Sequence, residues 1–462
     1  MENFKIKKCD FNMGLPVINH HTAGIDIGSM LMTVSYTGKD GYSYLFECSA
    51  FTTDLKALVD TLSQEGVTDV AMEATGVYWM SLYELLEDAS IKVILINPSH
   101  FKNVAAQKTD VNDSLWINQL HACGLLRRSH IAADHFRELR NYIHERGVIQ
   151  QQKSDTLNRI HRQLTLMNIK VQHQISDIEG VGGMKLLRAI ASGISDPIEL
   201  LSLLELKRFK ATPDELFKSL QGIYKEQFVT LLKMKLKEYD FYKEQMLTYD
   251  GLIEKVLQKI VVNLPFEILQ EKNQKEEKET DKKQKTKYYR KNEYSFDVRS
   301  YLKQIYGVDL VAVSAFDEKM LLDIAGVVGA DLSKWSTPEQ FVDYLGLSPR
   351  RKKTGGKVVG HEKKKVKNPA TQAFRIAARS LWNSSTPLGH MYRRLSASKG
   401  AATANKAVAR KLARLFYTLV KKQVEYDETM WAKQKEQQEK REVAKMKKMA
   451  EKLGFEIKKK VA

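Results

Sequence analysis

Paired cysteines are missing from this sequence. Its 462 residues include three, Cys9, Cys48 and Cys123. The number is odd and no C-x-x-C pair occurs, so neither a zinc site of that type nor a dithiol redox motif is expected, and the thiols are read as reduced. Also lacking is any run of about 18 consecutive apolar residues, which argues against a membrane span. The opening MENFKIKKCDFNMGLPV has no long apolar stretch after its charges and predicts no signal peptide. Together these absences predict a cytoplasmic protein with no membrane partner. Negative charge is in deficit as well: 74 Lys and Arg face 56 Asp and Glu, a formal net charge of +18. Such a balance points to a polyanionic partner, because each neutralised phosphate releases condensed counterions. Solubility alone accounts for part of an excess of this kind, but the clustering described below does not fit that explanation.

What is present is enough apolar content, 43%, for real cores, and enough length for two or three domains. Residues 23–36, AGIDIGSMLMTVSY, read as strand, tight turn at Gly28 and strand, with 42–48 as a hairpin partner. A helix is predicted over 53–64, capped by Thr53 or Asp54, because Leu55, Leu58, Val59 and Leu62 recur at helical spacing. Further strands fall at 67–72 and 92–96, the latter ended by Asn97-Pro98, and helices at 78–88 and 111–126. A hairpin followed by alternating strands and helices predicts a mixed α/β sheet covered by helices. From 135 to 173 the chain is polar and nearly free of breakers, as in a long helix, a helical hairpin or a coiled coil. Helices continue past Gly180-Val181-Gly182-Gly183 to about Leu264. Residues 271–292 are too poor in apolar side chains to fold and read as a solvated linker. Residues 296–426 are again globular and mainly helical, and 427–462 form a charged tail.

Four acidic residues stand out by position. Asp26 lies inside an apolar strand, where an uncompensated charge is costly. Glu73 closes the strand ending in VAM, before TGVYW. Asp110 and Asp113, three apart at the start of a helix, share a face. Hard divalent cations such as Mg2+ take oxygen ligands of this kind, and two such ions can activate an attacking oxygen and stabilise a leaving one. Singly, each acid has an ordinary explanation: Asp26 as the partner of a buried Arg, Glu73 as a strand end, Asp110 as a helix cap. The set of four on these elements favours a metal centre.

The segments GIDIGS, AMEATGVYW, INPSHFKNVAAQKTDVNDSLWINQLHACGLLR and YLGLSPRRKKTGGKV resemble those of the DEDD-type insertion-sequence transposases. These form the insertion sequence 110 family, also called bridge-RNA-guided recombinases. The resemblance covers nearly the whole chain apart from the linker and the tail. It implies an α/β ribonuclease-H-like (RuvC-like) N-terminal domain, then a long helical or coiled-coil region and a mainly α C-terminal transposase domain. The boundaries expected are 1–130 for the catalytic domain, 131–270 for the helical region, 271–294 for the linker, 295–426 for the transposase domain and 427–462 for the tail. Carried over, the family's magnesium-binding acids fall on Asp26, Glu73, Asp110 and Asp113.

The family also has a nucleophilic serine just before a Gly-Gly. Here LGLSPRRKKTGGK places Thr354 at that position, a departure. Three readings compete: Thr354 is the nucleophile, Ser348 has taken over, or the copy is impaired. Thr354 is favoured, since its hydroxyl can act when activated and Gly355 and Gly356 let a phosphate approach the backbone. Ser348 reads more simply as a turn residue before Pro349. Charge is dense around the motif: Arg350, Arg351, Lys352, Lys353, Lys357, Lys363, Lys364, Lys365 and Lys367 are opposed between 350 and 367 only by Glu362. Phosphate-backbone binding is the expectation. Arg375, Arg379, Arg393, Arg394, Lys406, Arg410, Lys411 and Arg414 recur as basic faces of amphipathic helices, while Trp382, Tyr392, Phe416 and Tyr417 read as core.

The segment 178–190, IEGVGGMKLLRAI, reads equally as a phosphate-binding helix-hairpin-helix turn or a plain helix–helix turn. VSAFDEKMLLDIAGVVGADL lacks the glycine such a turn would have, and no DNA contact is assigned to it. The expected activity is DNA recombination for transposition, with donor and target DNA as partners and a guide RNA implied by the resemblance. No RNA-recognition aromatic signature is present, and basic patches serve both nucleic acids. Two DNA partners suggest a homo-oligomer, a dimer or tetramer joined through the long helices. The rivals are a structure-selective nuclease using the carboxylates alone, and a non-catalytic nucleic-acid-binding regulator.

Overall fold

The computed structural model describes residues 4–9, 14, 16–74, 76–96, 110–126, 130–206, 209–264, 292–355, 357–362, 368–427, 444, 446, 449–451 and 454. The linker expected at 271–294 and the tail lie almost wholly outside the described residues, as do Asn97 and Pro98. The chain forms two compact units, Met1–Ile131 and Ala132–Ala462.

The first unit is a mixed six-stranded sheet in the order β1-β4-β3-β2-β5-β6, made by Lys7–Cys9, Thr22–Ile27, Leu31–Thr37, Ser43–Ser49, Asp69–Glu73 and Lys92–Ile96 as β1 to β6. β1 to β4 pair antiparallel in the order β1-β4-β3-β2, whereas β2–β5 and β5–β6 are parallel. The turn from β2 to β3 needs glycine: the Gly28 amide donates to the Leu31 carbonyl at 3.1 Å, and a Cβ on Gly28 would stand 2.3 Å from that oxygen. Helices Thr52–Gln64 (α1) and Trp79–Asp88 (α2) cover one face. There Ile25, Val34, Leu58, Met72 and Leu82 are fully buried, each contributing roughly 1.5–3 kcal/mol. Helix Asp110–Ala122 (α3) covers the other face, where Ile117 meets Ala71 and Ile96. Strand β2 is covered on both sides, which explains its nearly continuous apolar run. The cap expected at Thr53 or Asp54 is not formed: Phe51 occupies the N-cap without a side-chain bond. The Asp54 carboxylate instead accepts a hydrogen bond from the Ser49 hydroxyl.

The second unit is mainly helical. Helix Asp134–Leu166 (α4, 33 residues) is followed by Val181–Ala191 (α5), Pro197–Ser202 (α6), Pro213–Leu220 (α7) and Glu226–Val262 (α8, 37 residues). α4 is one helix rather than a hairpin, and it ends before Asn168, whose φ of 54° is the left-handed stop that Asn tolerates. Its partner is α8 of the same chain. Glu138 with Lys259, Arg146 with Asp250 and Arg159 with Glu238 define an antiparallel pair on the order of 50 Å long at 1.5 Å per residue. At one end Ile160, Leu164, Leu186, Leu216 and Leu236 form a core with the short helices. At the other end Phe136, Leu139, Ile253 and Leu257 join the C-terminal core. Between the two cores lies a polar belt. Arg146 and Asp250 are paired and 2% exposed, Arg146 donates to the Asn292 and Glu293 carbonyls, and its guanidinium lies 4.0 Å from the Tyr294 ring centroid.

The C-terminal part continues with Val298–Tyr306 (α9), Glu318–Val328 (α10), Pro338–Tyr344 (α11), a two-stranded hairpin of Arg350–Thr354 (β7) and Lys357–Glu362 (β8), then Pro369–Ser380 (α12), Pro387–Lys399 (α13) and Ala401–Lys422 (α14). Tyr392, Phe416 and Tyr417 are core, but Trp382 is 48% exposed. Its ring stands nearly perpendicular to that of Tyr392, with centroids 5.8 Å apart. The glycine missing from VSAFDEK is replaced by Ala315 at φ 79°, a left-handed turn made at a steric cost of about 1–2 kcal/mol. Among the described residues no helix is long and apolar enough to cross a membrane.

Candidate metal centre and basic hairpin

Asp26 is the last but one residue of β2 and Glu73 the last of the neighbouring β5. Register pairs Ile25 with Met72 in the parallel β2–β5 ladder, so one step further Asp26 stands beside Glu73. Neighbours at one level of a parallel ladder present their side chains to the same face, about 4.8 Å apart between strands. That face is the one α3 covers, since Ala71, two residues before Glu73, contacts Ile117 of α3. Both acids are half-buried.

The approach of α3 is set by Gly24. A Cβ there would lie 2.5 Å from the Ser114 carbonyl and 2.3 Å from the Asn118 nitrogen. Two residues earlier, the Thr22 hydroxyl donates to the Asn118 side-chain oxygen at 2.8 Å. Moving from Asn118 to Ser114 therefore corresponds to moving from Thr22 toward Gly24, and α3 runs antiparallel to β2. One more helical turn, roughly 6 Å, reaches Asp110; two more strand residues, roughly 6.6 Å, reach Asp26. The first turn of α3, with Asp110 and Asp113, thus lies at the ends of β2 and β5 that carry Asp26 and Glu73. The helix N-terminus also favours negative charge there. Asp113 is half-buried; the side chain of Asp110 lies outside the described residues. Among the described residues, no three His, Cys, Asp or Glu side chains are gathered closely enough to hold a metal ion. What the backbone register shows is Asp26 beside Glu73, with α3 running antiparallel to β2 on the same face. The same end of the sheet exposes Met30, Leu31, Phe51, Val77 and Tyr78, an apolar rim that strand patterning does not reveal because it forms from three separate turns.

Thr354 is the last residue of β7. It pairs with Lys357 across a two-residue turn, with Gly355 at φ +55°, and Thr354, Gly355 and Lys357 are exposed. The sequence reading missed this hairpin, although Gly-Gly between two short segments is a hairpin signal. Ser348 is half-buried in the segment before β7, on the order of 20 Å from Thr354 along an extended chain at about 3.3 Å per residue. The side chains of Arg350, Arg351, Lys352 and Lys353, together with Gly356, Lys363, Lys364, Lys365 and Lys367, lie outside the described residues.

The basic helices divide by role. Arg375 and Arg379 are exposed on α12 opposite its buried Phe374, Ala377 and Ala378. Arg393 donates to the Trp382 and Ser384 carbonyls at 2.8 and 2.7 Å, so it braces a turn. In the 178–190 segment, Gly180 is the N-cap of α5. Gly183 packs on the Ile178 backbone, 2.3 Å from where a Cβ would be, and Gly182 packs on Phe209. Close packing accounts for both of these glycines.

Residues 23–169 match the family model of DEDD transposases of insertion sequence 110, described as Transposase. The match includes Asp26, Glu73, Asp110 and Asp113 and ends well before Thr354. No curated protein matches the chain.

Proposed function

Residues 23–169 belong to the DEDD transposase family of insertion sequence 110, and from that premise we propose that the chain is a metal-dependent recombinase that cuts and rejoins DNA to move an insertion sequence. The observation that carries the reading is the adjacency of Asp26 and Glu73 on parallel strands, with the first turn of α3 on the same face. An all-oxygen set of this kind suits Mg2+, and the ribonuclease-H-like assignment of the sheet goes with it. Asp26, Glu73, Asp110 and Asp113 would hold the ion, which when bound polarises the phosphodiester and stabilises the leaving oxygen.

The nucleophile we assign is the Thr354 hydroxyl at the hairpin tip. Its oxygen gives up its proton and bonds to phosphorus as the strand's P–O bond breaks, and the leaving oxygen keeps the bonding electron pair and takes up a proton from solvent. The freed hydroxyl of the exchanging strand then displaces threonine and restores the diester. Gly355 and Gly356 carry no side chain to block the phosphate, and Lys357 with Arg350, Arg351, Lys352, Lys353, Lys363, Lys364 and Lys365 neutralises the backbone on either side. Donor and target DNA are the substrates. An element-encoded guide RNA and a dimeric or tetrameric assembly complete the proposal.

The test is a denaturing gel for a protein–DNA adduct. Wild type and Thr354→Ser form the adduct in Mg2+, whereas Thr354→Ala and Asp26→Ala form none. Asp26→Ala still binds DNA. Mg2+-dependent cutting by Thr354→Ala at the parental rate would reassign the chain to a nuclease that uses the carboxylates alone.

A further inference from the structure

A cavity of about 370 Å3 opens against α14, next to the segment that leads into β7. Leu347, Pro349 and Met391 supply apolar walls, and Lys406, Arg410 and Arg414 supply charge. These three cations are four apart on one helix and form a single stripe. Like charges at that spacing repel one another by a few tenths of a kcal/mol per pair. Arg414 is compensated by Glu339 at 3.0 Å, but Arg410 has a buried Nε with no hydrogen-bond partner among the described residues. A buried donor left unmade costs about 1–3 kcal/mol; that Nε is itself shielded from solvent, so what the cavity offers a ligand is the cationic charge of the stripe. Lys411, also on the cavity wall, is held below its ordinary pKa by burial and then by Arg414, as expected where cations outnumber anions.

We propose that this cavity binds one nucleotide of a single nucleic-acid strand, its phosphate on Lys406, Arg410 and Arg414 and its unstacked base against Leu347, Pro349 and Met391. A surface that only tracked phosphates would need no apolar wall. A stacking platform would be aromatic, and none of the lining residues is. The volume is at the small end for ligand pockets; it admits a base with its sugar-phosphate and excludes a base pair, as pockets for flipped bases do. The proposal rests on reading the chain as a nucleic-acid enzyme, but it requires neither the carboxylates nor Thr354.

The experiment is fluorescence anisotropy of the full chain in EDTA, with labelled single-stranded DNA, single-stranded RNA and duplex DNA. Arg410→Ala is expected to raise the single-strand Kd about tenfold and to reduce the salt slope by about one. Lys406→Ala, at the half-buried rim, should act in the same direction, and thermal melts establish that both variants are folded. Met391→Gln is expected to weaken an intact strand about fivefold and to leave an abasic strand unchanged. A loss seen with DNA, with RNA or with both supports the site and identifies the strand. Single-strand binding by folded Arg410→Ala at the wild-type Kd, an equal loss on duplex, or equal effects of Met391→Gln on intact and abasic strands each overturn it. Because no metal is present, a failure here is distinct from failure of the adduct assay.

Discussion

Gly24 and Asn118 meet through bare backbone: a Cβ on Gly24 would lie 2.3 Å from the Asn118 nitrogen. Glycine at this point lets α3 sit low on β2, and the level of α3 determines how near its first turn comes to Asp26. Gly24→Ala should therefore lift the helix. The expected cost is about 1–3 kcal/mol in urea unfolding, as for other overpacked cores. DNA joining should fall at least tenfold further than the folded fraction predicts, about 1.4 kcal/mol of added barrier.

If the four acids hold a divalent cation, the ion stabilises the folded chain by mass action. At a metal concentration of one hundred times Kd the gain is about 2.7 kcal/mol. Mg2+ or Mn2+ should raise the melting temperature of wild type, and Asp26→Asn and Glu73→Gln should abolish most of that rise. Duplex binding in EDTA should be the same for all three. A metal-induced shift that survives both substitutions would place the cation elsewhere.

The Arg146–Asp250 pair, both 2% exposed, lies between the two cores of the second unit and also engages residues 292–295 through Arg146 and the Ser295 amide. Asp250→Ala leaves a buried guanidinium without its anion and should cost about 3–5 kcal/mol in denaturant unfolding. Arg146→Leu combined with Asp250→Leu should recover much of that loss, because neither charge of the pair is then left buried without its partner. Equal stability of the single and double variants would contradict this account.

Asp323 on α10 has its pKa raised from 3.8 to about 6, chiefly by burial, with Asp317 adding and Lys319 opposing. The folded carboxyl therefore keeps a proton that the unfolded chain releases. Its contribution is fully present below about pH 4 and is lost as pH rises through about 6. Asp323→Asn should remove that slope and stabilise the protein at pH 7–8 by roughly 1–3 kcal/mol. Chemical denaturation from pH 4 to 8 tests this, and parallel curves for the two proteins would refute it.

Much of the fold is legible in the sequence because it is written in local periods. Alternation and helical spacing locate β2 to β6 and α1 to α3 within a few residues, since each element's buried face repeats along a short stretch. The cap of α1 departs from the expectation because Asp54 accepts from Ser49 instead, and side-chain competition of that kind leaves no periodic trace. Trp382 departs from the core expectation because it falls in the short turn after α12, where it is 48% exposed. The β7–β8 hairpin was overlooked because its dense charge hides any alternation.

By itself, the sequence determined the order of β2 to β6 and α1 to α3, the four acids with their oxygen-only chemistry, the concentration of positive charge around Thr354, and the match of residues 23–169 to a transposase family model. The tertiary structure alone decided what stands beside what. Thr22 and Asn118 meet across 96 positions, and Arg146 and Asp250 across 104. Such contacts depend on how whole elements pack, through the close approach at Gly24 and the antiparallel lie of α4 and α8, and no local propensity encodes them. For the same reason Asp26 and Glu73, 47 residues apart in the chain, become neighbours only once β2 and β5 pair in parallel register.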